Sequence, residues 1–297
     1  MKFDSQTLRA WRDLVFEAGR SWQKDGAPSM GAALSFYTLF SMAPLLLLVI
    51  SIAGIAIGSD TARGMLMTQL TALMGEQGAG AISAILEKAN ERSEGVWSAM
   101  VSIVTLVVGA STVFAELRRD LDKIWKFEAP EKSGLWNFVF SKVLSVGMVA
   151  TIGFLLMVSL AVSAAVTAVG SMWAGAFPGS AALPRLLEFV GSFVVITGLF
   201  AMIYRLLPSV RIAWSDVWVG AALTSLLFWI GKFLIGIYIG RSAIASPFGA
   251  AGTLVVVIVW VYYSAQIFFL GAELTRAYAV RMGSLKGKVK EVVSGTT

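Results

Sequence analysis

The sequence predicts an all-α fold, a polytopic integral membrane protein with six transmembrane helices and further amphipathic helices at the N-terminus and in an outer loop. Three observations carry that expectation. Only 14% of the 297 residues are charged and 57% are hydrophobic, against roughly 25% charged in a soluble domain. Six stretches contain no Asp, Glu, Lys or Arg: 26–59, 95–115, 143–184, 189–204, 217–231 and 242–272, more than half of the chain. A bilayer crossing takes about 20 mainly apolar residues of helix, and no water-soluble core of this size needs so much uncharged sequence. The third observation is the uneven division of Lys and Arg between the two sides that these stretches define.

Residues 1–26 are expected to form a cytoplasmic amphipathic helix, with Leu8, Trp11, Val15, Ala18 and Trp22 on one face at helical spacing, as suits a helix lying on a membrane surface. They are rich in charge and lack a continuous apolar core, so they do not read as a cleavable signal peptide. The first crossing, near Leu34–Ile57, is therefore expected to be an uncleaved anchor. Pro44 inside it removes a backbone donor and crowds the preceding turn, which predicts a kink or break. Residues 60–93 are too polar for hydrocarbon but keep helix-like apolar groupings, and are expected to form a pair of outer amphipathic helices.

The second crossing is expected at about Gly95–Ala115, continuing as an exposed helix through residues 116–125 until Pro130 ends it. Within that extension Arg118 can pair with Asp122 and Glu116 with Arg119, beside an apolar stripe of Leu117, Leu121 and Ile124. The run 143–184 is too long for one crossing, and its Gly-, Ala-, Ser- and Pro-rich end from Gly170 to Pro184 divides it into a third crossing near Trp136–Val169 and a loop. Crossings four, five and six follow at about 184–206, 214–239 and 250–277. Residues 27–280 thus make the membrane domain and 281–297 a basic cytoplasmic tail.

With six crossings, one side carries 17 Lys and Arg and the other 5. The positive-inside rule then places both termini in the cytoplasm. Trp97, Trp125, Trp136, Trp173, Trp214 and Trp218 all fall near the expected boundaries, where an indole is favoured. The net charge of +6 is accounted for by this topology, and no nucleic-acid partner is expected. No internal repeat is visible at the level of residue identity.

The chain has no Cys and no His, which removes disulfides, thiolate nucleophiles, imidazole bases and the usual zinc ligands together. No metal, cofactor or catalytic residue is expected. Charged groups at hydrocarbon depth are costly and often functional. Counting about 1.5 Å per residue from Asp216, Lys232 lies roughly 24 Å into a core about 30 Å thick. Glu188 enters the fourth crossing from the opposite end to a similar depth. The two are candidates for an intramembrane pair or a substrate contact, the alternative being that Lys232 snorkels outward. Glu273, with Arg205 and Arg276, is a candidate clamp at the cytoplasmic boundary. Pro247, Gly249 and Gly252 are candidates for an irregular outer vestibule, although small residues there also serve close helix packing.

Several segments carry a family likeness: Ala33-Leu-Ser-Phe-Tyr-Thr-Leu-Phe-Ser-Met-Ala-Pro44, Leu117-Arg-Arg-Asp-Leu-Asp-Lys-Ile-Trp125, Tyr204-Arg-Leu-Leu-Pro208, Trp214-Ser-Asp-Val-Trp218 with Gly220-Ala221, Phe248-Gly-Ala-Ala-Gly252, Trp260-Val-Tyr-Tyr263 and Gly271-Ala-Glu273. In this order and spacing they resemble the YihY/BrkB family of bacterial inner-membrane proteins, historically mislabelled as ribonuclease BN. The resemblance covers roughly residues 20–280. It implies six transmembrane helices with both ends inside, and a link to serum resistance and to envelope lipid or lipopolysaccharide handling. It carries over no catalytic residues.

The expected function is a transporter or flippase-like protein for an envelope lipid or related amphiphile, with the bilayer and anionic lipid as partners. The alternative is a non-transporting scaffold or regulator of envelope assembly. A ribonuclease is disfavoured, because short tails and loops without His or converging carboxylates attract RNA without cleaving it.

Overall fold

Long apolar stretches satisfy their backbone groups internally by forming helices, and the chain folds accordingly. The computed structural model describes residues 5–91, 109, 112–127, 182–210, 212–241 and 252–286, and no strand occurs among them. The helices are α1 (Ser5–Lys24), α2 (Ala27–Ile57), α3 (Ser59–Glu91), α4 (112–124), α5 (Ala182–Leu206), α6 (Trp214–Arg241) and α7 (Gly252–Arg281). Among the described residues, three stretches are long and apolar enough to cross a bilayer: Ala27–Ile55, Trp214–Ile235 and Gly252–Arg281, with Phe193–Leu206 a shorter apolar helix. Most of the expected second crossing, all of the third and the loop after it up to residue 181 lie outside the described residues, and the last three residues of that loop are the start of α5.

Large apolar side chains face outward on these helices: Phe36, Phe40 and Ile55 on α2, Val194 on α5, Phe233 and Leu234 on α6, and Leu254 on α7. A water-soluble monomer rarely exposes so extensive an apolar surface, whereas hydrocarbon is its natural solvent.

α2 runs through Pro44 as one helix, so the expected break is not formed. Proline removes a single hydrogen bond, and the apolar turns on either side, packed through Leu39, Met42, Leu46, Leu47 and Ile50, hold the axis together. Ser41 lies three residues before it, and its hydroxyl donates to the Thr38 carbonyl at 3.2 Å. The sharp changes of direction fall at glycines instead. Gly26 (φ 80°), Gly58 (φ 86°) and Gly75 (φ 77°) adopt left-handed backbone that a side chain would oppose. Gly75 divides α3 into two helical pieces, across which Arg63 and Glu87 approach to 3.5 Å.

The core has three parts. Met74, Ile82 and Leu86 of α3 pack against Val256, Val257 and Val261 of α7 and Ile235 of α6. A second cluster joins α2, α4, α5, α6 and α7 at the opposite end of the bundle, around Tyr204, Phe268, Phe269, Leu121 and Ile124. In the third, Leu14 and Ala18 of α1 pack on Leu274 and Ala277 of α7, while Trp11 stacks on Tyr278 with ring centroids 6.0 Å apart.

Two sequence expectations change here. The inner face of α1 is centred on Leu14 rather than Val15, which is 55% exposed, because the helix docks on α7 as well as presenting an apolar edge outward. α4 is a packed element, not an exposed one: Leu121 and Ile124 are fully buried and Trp125 is 5% exposed, so this tryptophan is a core residue and not a boundary anchor.

Candidate functional site

The most polar part of the buried structure lies where α1 turns into α2, beside the C-terminal third of α7. Asp25 ends α1, its N–H donating to the Ser21 carbonyl at 2.8 Å. Left-handed Gly26 then reverses the chain, and Pro28, whose fixed φ suits a first turn, helps to start α2. The reversal turns the Asp25 side chain inward, where the residue is 8% exposed. On α7, Glu273 is 1% exposed. The Asp25 and Glu273 carboxyls are close neighbours.

Two cations flank the carboxyls. Lys126 Nζ, just after α4, lies 3.9 Å from Asp25 Oδ1, and Arg276 Nη1 lies 3.8 Å from Glu273 Oε2. Both separations exceed hydrogen-bonding distance. Trp22 Nε1, Asp25 Oδ2, Gln266 Oε1 and both Glu273 oxygens are buried without a partner that donates to or accepts from them. Buried polar atoms are ordinarily paired, so this concentration of unpaired ones marks the place as something other than a packing core.

Around it, connections are held by paired side chains. Ser209, after α5, donates its N–H to Asp122 Oδ1 at 2.6 Å and its hydroxyl to Asp122 Oδ2 at 2.8 Å, while Arg118 Nη2 donates to the same hydroxyl at 3.1 Å. Asp216, in the first turn of α6, accepts from the Ser284 N–H at 3.0 Å and hydroxyl at 2.6 Å. Asp120, also on α4, is 7% exposed; burial first, then the neighbouring Glu116, pushes its carboxyl up to about 6.

Deeper in the bundle the Tyr204 hydroxyl donates to the Phe268 carbonyl at 2.7 Å and lies 3.1 Å from Thr224 Oγ1. Gly220 and Gly271 permit this approach of α6 to α7, since a Cβ on Gly271 would overlap Thr224 and Tyr204, and one on Gly220 would overlap Thr275.

A third feature lies on the outer side of α1. An open groove of about 760 Å³ is lined by Arg12, Asp13, Phe16, Glu17, Arg20, Ser21, Lys24 and Arg281. Arg12 pairs with Asp13 at 3.0 Å and Arg281 with Glu17, so both carboxylates are engaged and the lining remains net positive. Phe16, 65% exposed, supplies an apolar wall.

The residues singled out in the sequence are distributed as follows. Glu273 and Arg276 meet, one helical turn apart on α7, whereas the Arg205 guanidinium lies 5.9 Å over the Trp214 ring. Lys232 is partly buried in α6. Glu188 falls in α5, but its side chain lies outside the described residues, as do Pro247 and Gly249. Gly252 begins α7 and is buried. Sequence reasoning missed Asp25, Asp120, Asp122 and Asp216 as buried or bridging groups. The available signal was local: Asp25 stands directly before Gly-Ala-Pro, a helix-reversal pattern.

Comparison with known proteins gives a consistent result. A family profile described as Virulence factor BrkB matches residues 18–294. The chain is 25% identical over 289 residues to a UPF0761 membrane protein of Ralstonia nicotianae, covering 92% of this chain and 62% of that protein. It is 25% identical over 254 residues to one of Pseudomonas aeruginosa, covering 84% and 59%, and 26% identical over 278 residues to one of Alkalilimnicola ehrlichii, covering 92% and 59%. The chain therefore spans about three fifths of the length of these relatives. No solved structure matches it.

Proposed function

Because the chain belongs to the Virulence factor BrkB family of membrane proteins, we propose that it is a flippase-like transporter handling an anionic envelope lipid or related amphiphile. The observation that carries this reading is the groove beside α1, whose Arg12, Arg20, Lys24 and Arg281 surround an apolar wall at Phe16. A charged headgroup with an attached chain needs both surfaces at once, and juxtamembrane cations attract anionic lipid.

The proposed setting is the bacterial inner membrane, with six passes and both termini cytoplasmic. The distribution of Lys and Arg supports it. So does the packing of α1 against the end of α7, since a chain that starts its first span and finishes its last at one end of the bundle crosses an even number of times. The reading assigns the protein no ribonuclease or other catalytic chemistry, in keeping with a sequence devoid of His and Cys.

Purified protein in sealed liposomes tests the proposal. Labelled anionic phospholipid should move between leaflets faster than in protein-free vesicles, and Arg20→Gln combined with Lys24→Gln should slow it several-fold at unchanged incorporation. No movement across a panel of anionic and neutral envelope lipids overturns the transport reading in favour of a scaffold.

A further inference from the structure

We propose that Asp25 and Glu273 form a proton-binding pair, sharing a single proton between two buried carboxyl groups at the end of the bundle where α1 meets α7. The inference rests on geometry. An ionised carboxylate offers lone pairs only, so two such groups buried as close neighbours repel unless one carries a hydrogen. With one proton present, an O–H of one carboxyl donates to an oxygen of the other, a short and strong charge-assisted bond. That bond engages one oxygen on each residue, among buried ones that otherwise accept nothing: Asp25 Oδ2 and the two oxygens of Glu273. Glu273 is 99% removed from solvent, its exposure being 1%, and cannot be satisfied by bulk water.

The charged groups around the pair favour a proton over a metal cation. Lys126, from the segment after α4, stands 3.9 Å from Asp25, and Arg276, one turn along α7, stands 3.8 Å from Glu273. Hard cations need six or more converging oxygens, and two fixed positive charges beside the carboxyls oppose a further one. A single shared proton leaves one negative charge between two positive side chains, each too far for a direct hydrogen bond. Lys126 also provides the route of exchange: its side chain is 42% exposed while its ammonium group approaches Asp25. A proton can reach the pair from the compartment next to α1 without entering the apolar cores. Taken with the transport reading, on which this last step rests, the proton is the coupling ion.

Infrared difference spectroscopy of the full chain in nanodiscs tests proton binding without reference to transport. Titrated from about pH 5 to about pH 9, a range spanning shifted carboxyls, in an Asp120→Asn background that removes another carboxyl raised into this window, the protein should show the C=O stretch of a protonated carboxylic acid, shifted in D2O. The band should be lost in both Asp25→Asn and Glu273→Gln, each checked for monodisperse elution. Lys126→Gln keeps both carboxyls and removes a neighbouring positive charge, so the band should persist to higher pH. Absence of the band in the Asp120→Asn background, its survival there in both carboxyl variants, or an unmoved midpoint in Lys126→Gln overturns the pair. In sealed liposomes, lipid movement by the unsubstituted protein should respond to an imposed pH gradient and that by Glu273→Gln should not. Movement indifferent to the gradient overturns the coupling role. A band with no lipid movement at all sinks the transport reading and leaves the proton site standing.

Discussion

Asp122 and Ser209 are joined by two hydrogen bonds across 87 residues of sequence, the Ser209 N–H at 2.6 Å and its hydroxyl at 2.8 Å from the two carboxylate oxygens. They fasten α4 to the connection between α5 and α6, and bring the two family segments 117–125 and 204–208 to one place. Asp122→Ala leaves the Ser209 N–H and hydroxyl without their acceptor and should cost about 2–3 kcal/mol, whereas Ser209→Ala removes only the hydroxyl, keeps the backbone bond and should cost about 1 kcal/mol. Thermal unfolding in detergent measures both. Equal losses would show that the backbone bond contributes nothing.

At the seam of α6 and α7, spacing matters more than hydrogen bonding. Tyr204→Phe removes a hydroxyl bonded to the Phe268 carbonyl, and interhelical bonds in membranes contribute about 0.6 kcal/mol on average and at most about 1.7 kcal/mol. Gly271→Ala forces a methyl group into Thr224 and Tyr204, an overpacking that typically costs about 1–3 kcal/mol. The expected order of melting temperatures is unsubstituted protein, then Tyr204→Phe, then Gly271→Ala. Replacing Thr224 by Ser in the Gly271→Ala background should recover little, since the Tyr204 clash remains.

What was legible in the sequence follows from the range of the forces involved. The apolar stretches that become α2, α6 and α7 are local and dense, and nothing else in the chain competes with the helix they prescribe. The polar groups were misread because their partners are remote. Asp122 has Arg118 at i−4 as a local partner, 3.9 Å away, but its two short hydrogen bonds go to Ser209, which no periodicity could indicate. Asp25 reads as a solvated helix end until Gly26 turns it against α7. Pro44 shows a different limit: the loss of one hydrogen bond is visible in the sequence, while the packing that keeps α2 continuous through it is not.

Asp216 also ties two distant segments, holding Ser284 beyond the end of α7. Gly283 gives the carboxylate room, since an added Cβ would stand 2.5 Å from Asp216 Oδ1 and 2.8 Å from the Ala279 Cα. Asp216→Ala should release the turn after Arg281 without unfolding the bundle. Hydrogen exchange at 283–286 should rise while exchange within α6 and α7 stays near that of the unsubstituted protein. Global loss of protection would show that this tie is integral to the whole fold.

Asp120 gives the stability a pH dependence whose sign can be worked out. Its carboxyl rises from 3.8 to about 6 in the folded protein, chiefly because burial disfavours the charged form and Glu116 adds repulsion, with Arg119 and Lys123 opposing. The folded state therefore holds this proton more tightly than the unfolded chain, and stability falls as pH climbs from about 4 to about 6, remaining lower above that window. Asn cannot ionise, so Asp120→Asn should match the unsubstituted protein near pH 4 and be the more stable of the two near pH 7.5. Melting temperatures of both proteins in one detergent across that range measure the difference directly. An Asp120→Asn variant that melts lower at the alkaline end would mean that the ionised carboxylate is being stabilised by a partner, and that its burial is not the dominant influence.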